Sequence, residues 1–173
     1  MPSAALERHP ASDCTALRSV EACVSRNPLR VTYVLEGDIE RLRIPPPRPP
    51  CIAERLWQHT CCEAFIARKG LPGYHEFNFS PSGEWAAYAF ARYREGAALV
   101  DHDPQINVRR TAGRLELDAS IPLRDEGKLL IGLAAVVEDE HGRLSYWALR
   151  HPPGEPDFHH PEAFALELDE VRD

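Results

Sequence analysis

The chain has 173 residues, 43% of them hydrophobic, and its 20 basic and 27 acidic side chains give a formal net charge of −7. This length fits a single domain spanning residues 1–173, because two separate halves would each have a thin core. The negative charge, uninterrupted by any basic run, argues against nucleic acid and anionic membrane surfaces as partners.

Short alternating runs bounded by turn residues dominate the chain and are typical of an antiparallel all-β protein. The first part predicts strands at residues 17–24, 29–36 and 39–44, the last two joined by a turn at Gly37-Asp38. The proline run at residues 45–50 (PPPRPP) lacks donors for a strand ladder. It therefore predicts a loop or an extended edge.

A hairpin is predicted next, with strands at residues 56–67 (LWQHTCCEAFIA) and 74–80 (YHEFNFS). Residues 84–94 (EWAAYAFARYR) are ambiguous, since their alanines favour a helix while the alternation of Trp85 and Ala87 favours a strand. The neighbouring hairpin favours the strand.

The remaining predicted strands lie at residues 106–110, 114–121, 128–138, 144–149 and 163–168. Residues 128–138 (KLLIGLAAVVE) are almost continuously apolar, as expected of a central strand covered on both faces. About ten short strands in one domain predict a two-sheet antiparallel β-sandwich of jelly-roll type.

The cysteines and the N-terminal segment bear on the compartment. Residues 1–17 carry charged side chains among the apolar ones, unlike the apolar core of a secretory signal. The five cysteines are odd in number, and the adjacent Cys61 and Cys62 would point to opposite faces of a strand. We therefore expect a cytoplasmic protein whose thiols pack as small hydrophobic side chains.

The predicted hairpin carries the first candidate site. Phe77 and Phe79 alternate with Glu76 and Asn78, so if the rings belong to the core, the polar side chains lie on the other face beside Glu63. Aromatic rings, carboxylates and an amide together suit a polyhydroxylated ligand. The candidate residues of this hairpin are Trp57, His59, Glu63, Tyr74, Glu76 and Asn78. The competing interpretation makes the two glutamates ordinary solvated or ion-paired strand residues and the tryptophan a core residue.

The loop at residues 151–161 (HPPGEPDFHHP) carries the second candidate site, because it contains three histidines and two acids. A metal site of His151, Asp157 and His159 is one hypothesis. The other is that these side chains cap turns and bond the loop backbone, since the chain has no H-x-H, C-x-x-C or H-E-x-x-H spacing.

Enzyme signatures are largely absent from the sequence, which has no G-x-S-x-G elbow and no glycine-rich phosphate loop. Glu63 and Glu76 would suit a retaining glycosidase if their carboxyl groups lay about 5 Å apart. We therefore expect a binding protein rather than an enzyme.

Three segments together resemble the DOMON-like proteins, namely LWQHTCCEAFI, YHEFNFSPSGEWAAY and YWALRHPPGEPDFHHPEAFALEL. These proteins are small β-sandwich domains related to the family nine carbohydrate-binding modules and to cytochrome domains that hold haem. The resemblance spans about Leu29 to Leu168 and implies the same β-sandwich fold.

The resemblance also implies a sugar-binding arrangement, since the sugar-binding relatives clamp a sugar between two tryptophans beside a glutamate. In this chain Trp57 and Glu63 match one wall and that glutamate, and Phe158 or Trp147 would supply the second wall.

The haem-binding relatives use a methionine and a histidine as axial ligands. The one methionine here is Met1, so that ligation is excluded, and a haem would need two ligands from His59, His151 and His159.

The leading hypothesis is a non-catalytic module, without a cofactor, that binds a carbohydrate or a related polar small molecule. Its expected ligand-binding residues are Trp57, His59, Glu63, Tyr74, Glu76, Asn78, His151, Asp157, Phe158 and His159. The alternatives are a metal- or haem-binding domain centred on residues 151–160, and a glycoside-processing enzyme that uses Glu63 and Glu76.

Overall fold

The computed structural model describes residues 3–124 and 126–170, which contain twelve β-strands and three short 3-10 helices. The strands are β1 (Ser3–Arg8), β2 (Leu17–Ser25), β3 (Arg30–Gly37), β4 (Cys61–Arg68), β5 (Tyr74–Phe79), β6 (Trp85–Arg92), β7 (Glu95–Leu99), β8 (Gln105–Arg110), β9 (Arg114–Ser120), β10 (Leu129–Glu138), β11 (Leu144–Ala148) and β12 (Leu166–Leu168). The 3-10 helices are Ile39–Arg41, Leu56–Gln58 and Pro161–Ala163. Within these described ranges no helix is long and apolar enough to cross a membrane.

The strands pair antiparallel along one continuous path, in the order β7-β6-β5-β4-β10-β11-β1-β2-β3-β9-β8, and β12 pairs with β10. Strand β1 joins the two halves of this path, because it pairs with β2 at one end and with β11 at the other. The all-β antiparallel prediction is confirmed. Instead of the expected ten or so strands there are twelve, eleven along one path and β12 beside β10.

The prediction missed β1 and β7 for a physical reason. Their sequences, SAALER and EGAAL, are short and rich in alanine, and most of their side chains are exposed. Such strands show no alternation of apolar and polar residues, so only their partners β2 and β6 define them.

Two other predicted strands were wrong in part. Residues 39–41 form a 3-10 helix instead of the start of a strand, and residue 42 makes only an isolated bridge. The predicted strand at 56–67 begins at Cys61, because Arg55 adopts a left-handed conformation (φ 58°) and starts a 3-10 helix. The ambiguous segment at 84–94 is a strand, β6, which pairs with β5 and β7.

One core cluster contains buried side chains from both halves of the path. Tyr33 on β3 is fully buried, and its hydroxyl donates a hydrogen bond to the backbone carbonyl of Glu63 on β4. Phe77 and Phe79 on β5 are also fully buried in this cluster, as their alternation predicted. The alternate side chains of β4 and β5 therefore project from the opposite, outer face.

Strand β10 is central, as predicted, and the C-terminal segment covers its outer face. It pairs with β4, β11 and β12, and nearly all of its residues are buried. A Cβ atom at Gly132 would lie 3.3 Å from the carbonyl oxygen of Ala163 and 3.4 Å from the Phe164 ring. Glycine at this position thus lets the C-terminal segment approach the sheet closely beside the candidate site.

Candidate ligand-binding site

A cavity of about 420 Å³ lies on the outer face of β4, β5 and β6, between the sheet and the C-terminal loop. Its aromatic lining consists of Trp57, Tyr88, Phe90, Tyr146 and Phe158. Its polar lining consists of Glu63, Glu76, Asn78, Arg94 and His159. Val136 of the central strand and Pro156 of the loop complete the wall. An aromatic enclosure with a few converging polar groups is the usual form of a small-molecule site.

Two buried carboxyl groups form the floor of the cavity. Glu63 is 3% exposed and Glu76 is 6% exposed. In the register of β4 and β5, Glu63 lies opposite Asn78 and Phe65 lies opposite Glu76, so the two glutamates are diagonal neighbours on one face. The Cys61 thiol donates to Oε1 of Glu63 (3.5 Å). The Asn78 amide, in the orientation that satisfies both of its ends, donates to Oε1 of Glu76 (3.0 Å).

Burial holds both carboxyl groups towards the neutral form. Desolvation, reinforced by the charge of Glu76, raises the pKa of Glu63 well above its ordinary value. Desolvation also raises the pKa of Glu76 from 4.5 to about 7, although Asn78 and Arg94 act in the opposite direction. Desolvation is the largest cause of both raised pKa values. A nearby cation would act in the opposite direction, because it favours the ionised form of each carboxyl group.

His159 contributes a neutral ring to the cavity wall. Tyr74 accepts a hydrogen bond from the backbone N–H of Arg94 (3.1 Å), so its own hydroxyl proton is free to donate to Nδ1 of His159 (2.8 Å). The imidazole proton then resides on Nε2, which faces Oε2 of Glu76 at 3.4 Å. The ring packs edge-on against Phe65, and burial lowers the pKa of His159 to about 4.

Arg94 brings the positive charge nearest to the floor, and Asp157 neutralises it. The Nη2 group of Arg94 donates to Oδ1 of Asp157 (2.9 Å), which also accepts from the backbone N–H of His159 (3.1 Å). Asp157 accepts a further bond from the Tyr93 hydroxyl. Although partial burial acts to raise it, these bonds from Tyr93 and Arg94 hold the pKa of Asp157 below its ordinary value. The network fastens the C-terminal loop to the turn between β6 and β7.

Most of the residues predicted from the sequence meet at this cavity. Six of them line it: Trp57, Glu63, Glu76, Asn78, Phe158 and His159. Tyr74 and Asp157 lie directly behind the lining, where they hold His159 and Arg94 in place. Trp57 reaches the cavity from a 3-10 helix rather than from the face of a strand, and its side chain is half exposed.

Three predicted residues lie elsewhere. His59 donates from Nδ1 to Glu138 (2.7 Å) beyond the end of the cavity. His151 donates from Nε2 to the backbone carbonyl of Glu7 (2.7 Å). Trp147, one of the two rings considered for the second wall, is buried in the core, where its indole N–H donates to Ser145 (2.9 Å). Phe158 is therefore the candidate that reaches the cavity.

The hypothesised metal ligands do not come together. His151, Asp157 and His159 each bond to different groups, as described above. In residues 3–124 and 126–170, no group of three or more His, Cys, Asp or Glu side chains is placed to hold a metal ion. The backbone bonds of this loop instead match the capping interpretation.

Six lining residues were not predicted from the sequence: Tyr88, Phe90, Arg94, Val136, Tyr146 and Pro156. The alternation of β6 carried a signal for the first two, because Tyr88 and Phe90 occupy the face opposite to the core residues Trp85 and Ala87. Arg94 and Tyr146 reach the cavity only through the pairing of distant segments, so no local pattern marks them.

Comparison with known proteins gives a shared fold. No family model matches the chain, and no curated protein matches it. The crystal structure of a candidate carbohydrate-binding protein from Bacteroides uniformis ATCC 8492 superposes with a TM-score of 0.62, over 94% of this chain and 84% of that chain. The two sequences are 13% identical, so the similarity establishes a common fold and leaves the ligand to the chemistry of the cavity.

Proposed function

We propose that this protein is a non-catalytic binding module for a carbohydrate or a closely related polar small molecule. In this proposal the two halves of the strand path are the two layers of a β-sandwich of the DOMON type, and the ligand occupies the cavity on its outer face. The observation that carries the proposal is the joining of five aromatic rings with buried acceptors and donors around one cavity.

The aromatic lining suits the apolar C–H faces of a sugar ring. Trp57 is 51% exposed, which is unusual for an indole and leaves its face free for a ligand. Phe158 comes from the C-terminal loop and supplies a second ring. By the DOMON resemblance, these two rings take the part of the two tryptophans that clamp a sugar in the binding modules.

The polar lining suits hydroxyl groups. Glu63, Glu76 and Asn78 project from adjacent paired strands, and their buried side chains offer carboxyl and amide oxygens on the cavity floor. The fold shared with the candidate carbohydrate-binding protein supports the same reading of the cavity.

Glycoside hydrolysis has less support than binding. A glycosidase pair needs one carboxyl group that is protonated and a second whose surroundings favour the ionised form. Here burial raises the pKa of both Glu63 and Glu76.

Isothermal titration against a panel of mono- and disaccharides tests the proposal directly. We expect at least one saccharide to bind, and Trp57→Ala to weaken that binding by about tenfold or more, as removal of an aromatic anchor does. Val100→Ala is the matched control, because Val100 is 73% exposed and lies outside the cavity lining. Absence of binding across the whole panel, or binding that Trp57→Ala leaves unchanged, would overturn the proposal.

A further inference from the structure

We infer that the ligand of this cavity carries a protonated amino group, which binds between Glu63 and Glu76, so that the module selects amino sugars over their neutral counterparts. This inference rests on the proposed function and adds the chemical class of the ligand. It follows from how the charges around the cavity floor are distributed.

Glu63 is a buried acceptor whose capacity is mostly unused. Its Oε1 receives only the weak thiol donor of Cys61 at 3.5 Å. Its Oε2 accepts no hydrogen bond from any residue in the described ranges 3–124 and 126–170, although the side chain lines the cavity and is 97% buried. Because the Glu63 side chain lines the cavity, this oxygen is available to a donor on the ligand.

Glu76 has partners, and they carry no charge. The Asn78 amide donates to Oε1, and Nε2 of His159 lies 3.4 Å from Oε2. His159 is neutral at physiological pH, because burial lowers its pKa to about 4. Among the described residues, therefore, no cation contacts either carboxyl group of the pair.

One positive charge, that of Arg94, acts on the pair without contacting it and lowers the pKa of both Glu63 and Glu76. Arg94 is committed to Asp157 through a 2.9 Å ion pair, so the two together add no net charge. The other groups that act on the pair or on the lining are neutral or acidic: Cys61, Tyr74, Tyr88, His159 and Glu54. Within residues 3–124 and 126–170, the acidic pair thus has no cation in contact with it, and the nearest one, Arg94, is paired with Asp157.

An ammonium group suits this arrangement in charge and in donor number. Glu63 and Glu76 occupy diagonal positions on paired strands, about 7–8 Å apart along the sheet, and both line the cavity. An ammonium group has three donors and can reach both carboxylates at once. The surrounding rings, Trp57 and Tyr88 among them, add cation–π attraction.

In the ligand-free protein the carboxyl groups of Glu63 and Glu76 hold protons that are released when such a ligand binds. Without a cation, ionising both glutamates leaves two like charges in a desolvated site, and burial accordingly raises the pKa of each. An arriving ammonium group favours the ionised pair, so the carboxyl protons pass to solvent as the amine binds. Neutral sugars and N-acetylated sugars produce no such release.

The experiment compares matched sugars by isothermal titration at pH 6.5, in two buffers that differ in ionisation enthalpy. The sets are glucosamine, N-acetylglucosamine and glucose, with the corresponding galactose and mannose sets. We expect at least one free amino sugar to bind about tenfold or more tightly than both of its neutral counterparts, with net release of protons.

The variants Glu63→Gln and Glu76→Gln should each abolish most of this preference, whereas Glu21→Gln, on an exposed position of β2, should leave it intact. Thermal melts of each variant check that it is folded, and either folded glutamine variant is sufficient for the test. If neutral sugars bind as tightly as amino sugars, or if the preference survives both substitutions, the inference is wrong and the proposed function stands. If no sugar of any set binds, both fail.

Discussion

The wild-type protein should become less stable as the pH rises and Glu76 ionises. Replacing Glu76 by glutamine should prevent this part of the loss. The unfolded chain titrates Glu76 near its ordinary pKa of 4.5, whereas the folded chain titrates it at about 7. A carboxyl group whose folded pKa is raised stabilises the fold fully below pH 4.5, and this contribution is lost as the pH rises through about 7.

The size of the effect follows from the two pKa values. Each pKa unit corresponds to about 1.4 kcal/mol, so the rise from 4.5 to about 7 costs the folded state about 3 kcal/mol once Glu76 is ionised. Most of this loss, about 2–3 kcal/mol, falls between pH 5 and pH 8. Glutamine stays neutral, keeps an oxygen that accepts from Asn78, and removes one cause of the raised pKa of Glu63.

Urea unfolding at pH 5 and pH 8, followed by circular dichroism without ligand, measures the difference. We expect the free energy of unfolding of Glu76→Gln, relative to that of the wild type, to increase by about 2–3 kcal/mol from pH 5 to pH 8, so that the variant becomes the more stable of the two by that amount. Glu21→Gln, exposed on β2, is the control and should follow the wild type. If the stability of Glu76→Gln changes between the two pH values by the same amount as that of the wild type, burial does not raise the pKa of Glu76 and the reasoning is refuted.

Three further predictions concern stability, thiol access and the C-terminal loop. Tyr33→Phe removes the buried hydroxyl that bonds to a β4 carbonyl, and urea unfolding should show a loss of about 1 kcal/mol with the fold retained; an unchanged midpoint would contradict it. Alkylation of the native protein at pH 8, followed by mass spectrometry, should modify the exposed Cys51 and spare Cys61, because Cys61 is buried and burial raises its pKa. Labelling of both thiols at similar rates would contradict this. Tyr74→Phe deletes the hydroxyl that holds His159 and should speed hydrogen exchange in the loop before β12, while exchange in β2 stays unchanged as an internal control.

The clearest strand patterns in the sequence belong to strands with one buried face or two. Residues 29–36 and 114–121 alternate cleanly because one face of β3 and β9 packs in the core. Residues 128–138 are apolar throughout because β10 is covered on both sides. The segments that were predicted wrongly have no such pattern of buried side chains. Strands β1 and β7 are mostly exposed, and residues 39–41 bury a single isoleucine in a 3-10 helix.

The candidate site divides in the same way. Alternation in β5 was enough to separate Phe77 and Phe79 from Glu76 and Asn78, and hence to place two polar side chains on the outer face. Alternation could not show that this outer face is also buried. That burial depends on the C-terminal loop folding back over the sheet, a contact between distant segments such as Tyr74 and His159, which are 85 residues apart.

The sequence by itself determined the all-β character of this protein and the face on which Glu63, Glu76 and Asn78 lie, because side-chain alternation is a local property of the backbone. Only the tertiary structure decided the rest. Three long-range contacts were decisive. Strand β1 pairs with both β2 and β11, the C-terminal segment packs over β10 at Gly132, and Arg94 pairs with Asp157. Those contacts turn a polar strand face into the floor of a cavity, and the burial of Glu63 and Glu76 there raises the pKa of both carboxyl groups.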